Sequence, residues 1–251
     1  MKDIIGILDS GVGGISVLRK AVDMLPNENF LYFGDNINAP YGPRPLEEIR
    51  SLSAKVIDYL LEQDVKAIVI ACNTITAAYA ATVRSQVSIP VIGMEPAVKP
   101  ASLARNGGKV IALATRATLT LDKFSRLMDS YGEGVIPVIG TGLVELVEAG
   151  LADSAQAHDA LADIFAPYMN QQIDGIVLGC THYPFLRRQI ESFFPNAQIF
   201  DGREGTIRQL ERRLKETGTL TSNTSGGELR IETSGSTQTL ELMHALLRGS
   251  I

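Results

Sequence analysis

The sequence predicts an α/β protein built from two pseudo-symmetric, doubly wound halves with mostly parallel sheets, and an active site in the cleft between them. Three observations predict this. Short apolar runs alternate with amphipathic stretches along the chain, the pattern of repeated βαβ units. A weak internal repeat sets residues 65–74 against 173–182, at an offset of 108, and residues 4–10 against 110–116, at an offset of 106. The only two cysteines, Cys72 and Cys180, fall at matched points of this repeat, each directly after a strand-like run. Any two buried parallel strands are rich in Ile and Val, so the cysteines carry the repeat more than the apolar runs do.

Taken in order, strands are expected at 3–8, 29–34, 66–71, 90–93, 109–114, 134–139, 174–179 and 197–200, with a short one at 229–233. The stretch 45–62 is the clearest helix. Pro45 suits a first helical position, and Leu46, Ile49, Leu52, Val56, Leu60 and Leu61 share one face. Residues 153–170 are amphipathic, 218–227 form a polar low-complexity loop, and 237–247 close the chain as a helix. No Pro/Ser-rich linker separates the halves, and the boundary is placed near residues 93–100. Ligands of such sheets bind beyond the carboxyl ends of the strands.

Composition narrows the function classes. At 251 residues, 45% hydrophobic and 20% charged, the chain can bury a real core. Its net charge of -5 is spread without a basic block; the small cluster Arg212, Arg213 and Lys215 reads as a solvated helix face, so no nucleic-acid partner is expected. Met1 and Lys2 lead straight into the first strand, without a signal peptide, and no apolar run is long enough to span a membrane. Two distant cysteines make no disulfide framework, so a reduced, cytoplasmic protein is expected. No clustered metal ligands and no P-loop occur. Gly11 and Gly13 begin a dinucleotide fingerprint, but Ser16 stands where its third glycine belongs, and Asp35 alone does not make a ribose site.

The chemistry sits at the strand ends. A cysteine that follows a buried strand and precedes a helix meets free backbone N–H groups and a partial positive charge, both of which favour the thiolate. Asn73 or Thr74 is a candidate cap for the first such helix, and Pro184 suits the first turn of the second. Two thiols at equivalent points of facing halves suit a reaction that removes a proton from one face of a carbon and delivers one to the other. His182, two residues after Cys180, is placed to orient or deprotonate that thiol. His158 and His244 are read as ordinary helix-face residues. After the first strand, residues 9–14 run Asp-Ser-Gly-Val-Gly-Gly, where Ser10 and successive N–H groups suit a carboxylate and Asp9 an ammonium or a thiol. The non-periodic loop 38–44 offers Tyr41 and the Gly42 backbone.

Together these motifs resemble glutamate racemase, of the aspartate/glutamate racemase family, across essentially the whole chain. The motifs are Asp9 to Gly14, Ala39 to Arg44, Ala71 to Thr74, Ala114 with Thr115 and Thr118, Val147-Glu148 with Gly150, and Leu178 to Pro184. The resemblance implies a two-base mechanism without cofactor or metal. Cys72 would take the Cα proton of D-glutamate and Cys180 that of L-glutamate. Asp9 would assist Cys72, while His182 and Glu148 would assist Cys180. Glu145 is the alternative to Glu148, because residues 139–145 lack the Cys-Pro pair and aromatics usual in the family. Asp9, Ser10, Tyr41, Gly42, Asn73, Thr74, Thr181 and His182 would hold substrate, with Thr115 and Thr118 as lesser contacts. It further implies that the C-terminal segment returns to the first half, giving domains of 1–95 with 205–251 and of 96–204. A homodimer and a supply of D-glutamate for peptidoglycan, hence for cell shape, are also implied.

Three other functions compete. A racemase of a related acid such as aspartate shares every feature above. A thiol redox protein would need the two cysteines within bonding reach. A binding module would use the same cleft without turnover.

Overall fold

The computed structural model describes residues 3–249. Met1 and Lys2, read above as leading into the first strand, lie outside the described residues, as do Ser250 and Ile251, which the expected domain limits include. Nine strands occur among the described residues: β1 Ile4–Asp9, β2 Asn29–Gly34, β3 Ala67–Ile70, β4 Val91–Gly93, β5 Lys109–Ala114, β6 Val135–Ile139, β7 Ile173–Gly179, β8 Gln198–Asp201 and β9 Leu229–Thr233. Each lies within a residue or two of its expected position.

The strands form two sheets in which every pairing is parallel, ordered β4-β3-β1-β2-β9 and β6-β5-β7-β8. Reversing the second list gives β8-β7-β5-β6, the first four strands of the other sheet advanced by four. The internal repeat is therefore a repeat of topology. Register agrees to within one residue: Ile7 pairs with Val69 and Leu113 with Leu178, the slip falling at an irregularity between Lys109 and Val110. β9 has no counterpart in the second sheet; it adds in parallel to β2.

The central strands are buried on both faces, which explains why β1, β3, β5 and β7 read as unbroken apolar runs rather than alternating ones. One apolar cluster takes in residues of both sheets, including Ile5, Ile7, Val69, Ile111, Leu113, Ile176 and Leu178. A second lies under the helices Leu46–Glu62 and Asn73–Gln86, and a third covers the far face of the second sheet. Because the halves share the first cluster, they pack as one body around the cleft.

Two local expectations shift. Pro45 stands one residue before its helix, with extended backbone, and Leu46 is the first helical residue. On that helix the buried face is Ile49, Ser53, Val56, Ile57 and Leu60; Leu46, Leu52 and Leu61 are half-buried at its margins. The amphipathic stretch 153–170 becomes the helix Ala155–Phe165, capped by Ser154, and then a 3-10 turn Ala166–Tyr168. Arg212, Arg213 and Lys215 are exposed and paired with Glu211 and Glu216, as a solvated face should be. His158 and His244 are exposed. Among the described residues no helix is long and apolar enough to cross a membrane.

Candidate active site

A cavity of about 280 Å³ opens at the carboxyl ends of both sheets. Its walls carry Ser10, Tyr41, Gly42, Cys72 and Thr74 from the first half, and Thr115, Cys180, Thr181 and His182 from the second. Both thiols are free and nearly buried, 6% and 7% exposed. Four other expected residues, Asp9, Asn73, Thr118 and Glu148, stand behind the wall rather than on it.

Cys72 occupies the cap position of the helix Asn73–Gln86. Neither Asn73 nor Thr74 caps it: the chain turns one residue earlier, so the sulfur itself sits at the helix end. Burial pushes the Cys72 thiol up to about 12, and the nearby Asp9 charge adds to this. The backbone N–H of Ile75 pulls the other way, as a helix N-terminus should, but it is outweighed. The expectation of a thiolate favoured by the helix end is thus reversed at Cys72. Its side-chain hydrogen-bond partner is Ser10, Oγ to Sγ 3.7 Å.

Asp9 is fully buried at the end of β1. Its Oδ1 accepts from the Gly11 N–H (3.0 Å), and its Oδ2 accepts from the Thr181 hydroxyl (3.1 Å). Burial raises its pKa, partly offset by the His182 charge. Beyond its own loop it bonds the Cys180 turn through Thr181, and it acts on Cys72 through space.

Cys180 follows β7, and a 3-10 turn Tyr183–Leu186 carrying Pro184 follows in place of the expected first helical turn. Its Sγ lies 3.6 Å from His182 Nδ1, and His182 Nε2 lies 2.6 Å from Glu148 Oε1. Burial alone would depress the His182 pKa. The hydrogen bonds to Cys180 and Glu148 override it and hold His182 well above its ordinary value, which favours the protonated ring. Burial opposes ionisation of Glu148 too, but its bonds to His182, to the Val12 N–H and to Asn36 keep its carboxyl below the ordinary value.

The glycine loop was expected to cradle a ligand carboxylate. Two of its N–H groups, those of Gly11 and Val12, are taken by the protein's own carboxylates, Asp9 and Glu148. Glu148 Oε1 accepts from Val12 N–H at 2.7 Å, and a Cβ on Gly11 would overlap that oxygen. A Cβ on Gly13 would overlap both His182 Nδ1 and Thr181 Oγ1. The close backbone approach thus serves the turn from the opposite half. Ser16, noted earlier only as a broken fingerprint, donates to the Thr181 carbonyl at 2.9 Å. Asp35 is likewise occupied internally, accepting from Tyr41 Oη (2.6 Å), Asn38 and Ser234.

On the cavity's other side, Thr74 Oγ1 meets Thr115 Oγ1 at 3.0 Å, and Thr115 meets Thr118 at 2.9 Å, a hydroxyl cluster that crosses between the halves. Asn73 is buried with neither amide atom hydrogen-bonded, beside Thr76 and Thr118 in a separate small cavity. Tyr41 is held by Asp35, and burial raises its hydroxyl pKa far above the ordinary value. Sequence reasoning missed Pro40, Pro43, Arg116, Thr141 and Val144 on the cavity wall. Arg116 was legible: it is the repeat partner of Ser10. Of the two candidate acids, Glu148 bonds His182 and Glu145 lines the cavity instead. Among the described residues no group of three or more His, Cys, Asp or Glu is arranged to hold a metal ion.

The Asp/Glu/Hydantoin racemase family model matches residues 5–210. This chain belongs to that family. A glutamate racemase of Clostridium perfringens is 49% identical over 231 residues, 90% of this chain and 89% of that protein. Among solved structures, a glutamate racemase isoform from Bacillus anthracis aligns with a TM-score of 0.88 at 33% identity, covering 98% of this chain and 94% of that one. The Escherichia coli glutamate racemase in complex with L-glutamate and an activator, UDP-MurNAc-ala, aligns with a TM-score of 0.87 at 26% identity, covering 99% and 95%. Within this racemase family framework the pseudo-symmetric cleft, one thiol on each side, is the feature to be explained.

Proposed function

We propose that the protein is a cofactor-independent glutamate racemase that interconverts L- and D-glutamate with two cysteine thiols. The observation that carries this reading is the pair of free thiols on one cavity, each delivered by the matching strand end of its own half. The relatives named glutamate racemase support glutamate as the substrate.

The two sides divide the work. For L-glutamate, the Cys180 sulfur removes the Cα proton, and the adjacent His182 donor stabilises negative charge on that sulfur. The Cys72 thiol, held protonated at neutral pH by burial, then delivers its proton to the opposite face. For D-glutamate the roles reverse, with the substrate ammonium offsetting the Asp9 charge that burdens the Cys72 thiolate. Charge developing on the substrate carboxylate is met by hydroxyls and backbone donors around Ser10, Thr74 and Thr181, fixed in place by the two halves. Asp9, Ser10, Tyr41, Gly42, Asn73 and Thr74 from the first half, with Thr115, Thr118, Thr181 and His182 from the second, form the proposed substrate shell.

The same reading divides the chain into domains 1–95 with 205–251 and 96–204, and expects a cytoplasmic homodimer that supplies D-glutamate to peptidoglycan; light scattering tests the dimer. Incubation of either glutamate enantiomer in D2O, without added cofactor, should place deuterium at Cα of the product. Folded protein that exchanges neither enantiomer contradicts the proposal, and aspartate run in parallel tests the substrate.

A further inference from the structure

The family model ends at residue 210, before β9. Yet the C-terminal strand is wired to the cleft. Thr233, the last residue of β9, donates from Oγ1 to Asn36 Oδ1 at 2.8 Å. Asn36 sits in the 3-10 turn that follows β2, and its Nδ2 donates to Glu148 Oε2 at 2.8 Å. Glu148 Oε1 meets His182 Nε2, and His182 Nδ1 meets the Cys180 sulfur. The next residue, Ser234, fixes the same turn twice: its Oγ accepts from the Ile37 N–H and donates to Asp35. An amide side chain has one acceptor and one donor end, and here the two ends join two different elements.

We propose that Asn36 is a positioning residue of the proton relay, carrying the grip of the C-terminal strand on Thr233 to the Glu148–His182–Cys180 line. A carboxylate rotates about its last torsion with little resistance. Glu148 must present one oxygen to both Val12 N–H and His182, and the Asn36 donor on the other oxygen sets that rotation. Outer hydrogen bonds of this kind hold a supporting histidine to the geometry that its bond to the reacting sulfur needs. Asn36 does not line the cavity, so it acts through Glu148 and not on substrate.

The inference rests on the racemase reading, and two readouts separate their failures. Asn36→Ala removes the donor. It should lower kcat by about tenfold with KM within about twofold, the loss expected for one weakened charged hydrogen bond. In the same variant the His182 imidazole, followed by NMR with His158 and His244 as internal controls, should titrate lower than in wild type by about one pH unit. Asn36→Asp keeps the shape and the acceptor for Thr233 but turns a carboxylate towards Glu148. It should fold like wild type and lose at least as much activity. A merely structural role would lower Tm and leave the His182 titration in place. If Asn36→Ala and Asn36→Asp both fold with an unmoved His182 titration and unchanged kcat, Asn36 has no positioning role. If wild type fails to exchange glutamate Cα hydrogen, the racemase reading falls, and the His182 titration still reports on Asn36.

Discussion

Replacing His182 by Asn removes the ring that contacts the Cys180 sulfur and whose protonated form its neighbours favour. The imidazole bridges Cys180 Sγ at 3.6 Å and Glu148 Oε1 at 2.6 Å, and it is 2% exposed. Asparagine keeps a polar atom near the Nδ1 position but carries no charge. A hydrogen bond to a charged group contributes about 1.5–3 kcal/mol, and each 1.36 kcal/mol on the barrier is tenfold in rate, so turnover should fall roughly 10- to 150-fold. The assay is glutamate racemisation followed by circular dichroism from each enantiomer. The equilibrium constant of a racemisation is one, so kcat/KM must fall by the same factor in both directions; the two kcat values need not. Stability adds a sign. The folded-state pKa of His182 lies above its unfolded value of about 6.5, so the imidazolium stabilises the fold fully below that pH, and the contribution fades as pH rises through the folded value. In denaturant melts, wild type should therefore exceed the variant most near about pH 6, and the gap should narrow in alkali. A folded His182→Asn protein within about threefold of wild-type kcat/KM would refute the reasoning.

Other consequences are open to measurement. With Cys180 replaced by Ser, iodoacetamide should modify Cys72 at a rate that climbs about tenfold per pH unit through the neutral range, because the thiol stays protonated; a plateau near the ordinary value of about 8.5 would contradict the burial argument. Gly13→Ala should cost about 1–3 kcal/mol and most of the activity, since its Cβ overlaps the Thr181–His182 turn; unchanged Tm and kcat would show that the turn yields freely. Lys66→Met should destabilise by about 3–5 kcal/mol, a Tm drop of roughly 10 °C, by stranding buried Glu28, its ion-pair partner at 2.6 Å. Its kcat should be unchanged, because the pair lies at the amino ends of β2 and β3, away from the cleft.

Much of this was legible in the sequence, for identifiable reasons. Strands buried on both faces announce themselves as Ile/Val runs, so all nine were placed to within a residue or two. The repeat was legible because both halves end their third strand on a cysteine. What the sequence concealed are pairings between distant residues. A Gly-rich loop after β1 looks the same whether it receives a ligand or Glu148, which lies 136 residues from Val12. Ser16 reads as a failed glycine, while its bond to Thr181 spans 165 residues. The sign at Cys72 was misjudged for a similar reason: the helix end is local and visible, whereas burial and the Asp9 charge arise only when β1 and β3 pair. Thr141 lines the cavity from a loop whose course no periodicity records.

The central claim is that each thiol serves one face of Cα. Deuterium exchange in D2O with the two single variants tests it most directly. With Cys72→Ser, Cys180 remains, and L-glutamate should exchange its Cα hydrogen while D-glutamate does not. With Cys180→Ser, D-glutamate should exchange and L-glutamate should not, and neither variant should racemise at an appreciable rate. If either variant exchanges both enantiomers equally, or racemises as wild type does, one thiol per face is wrong.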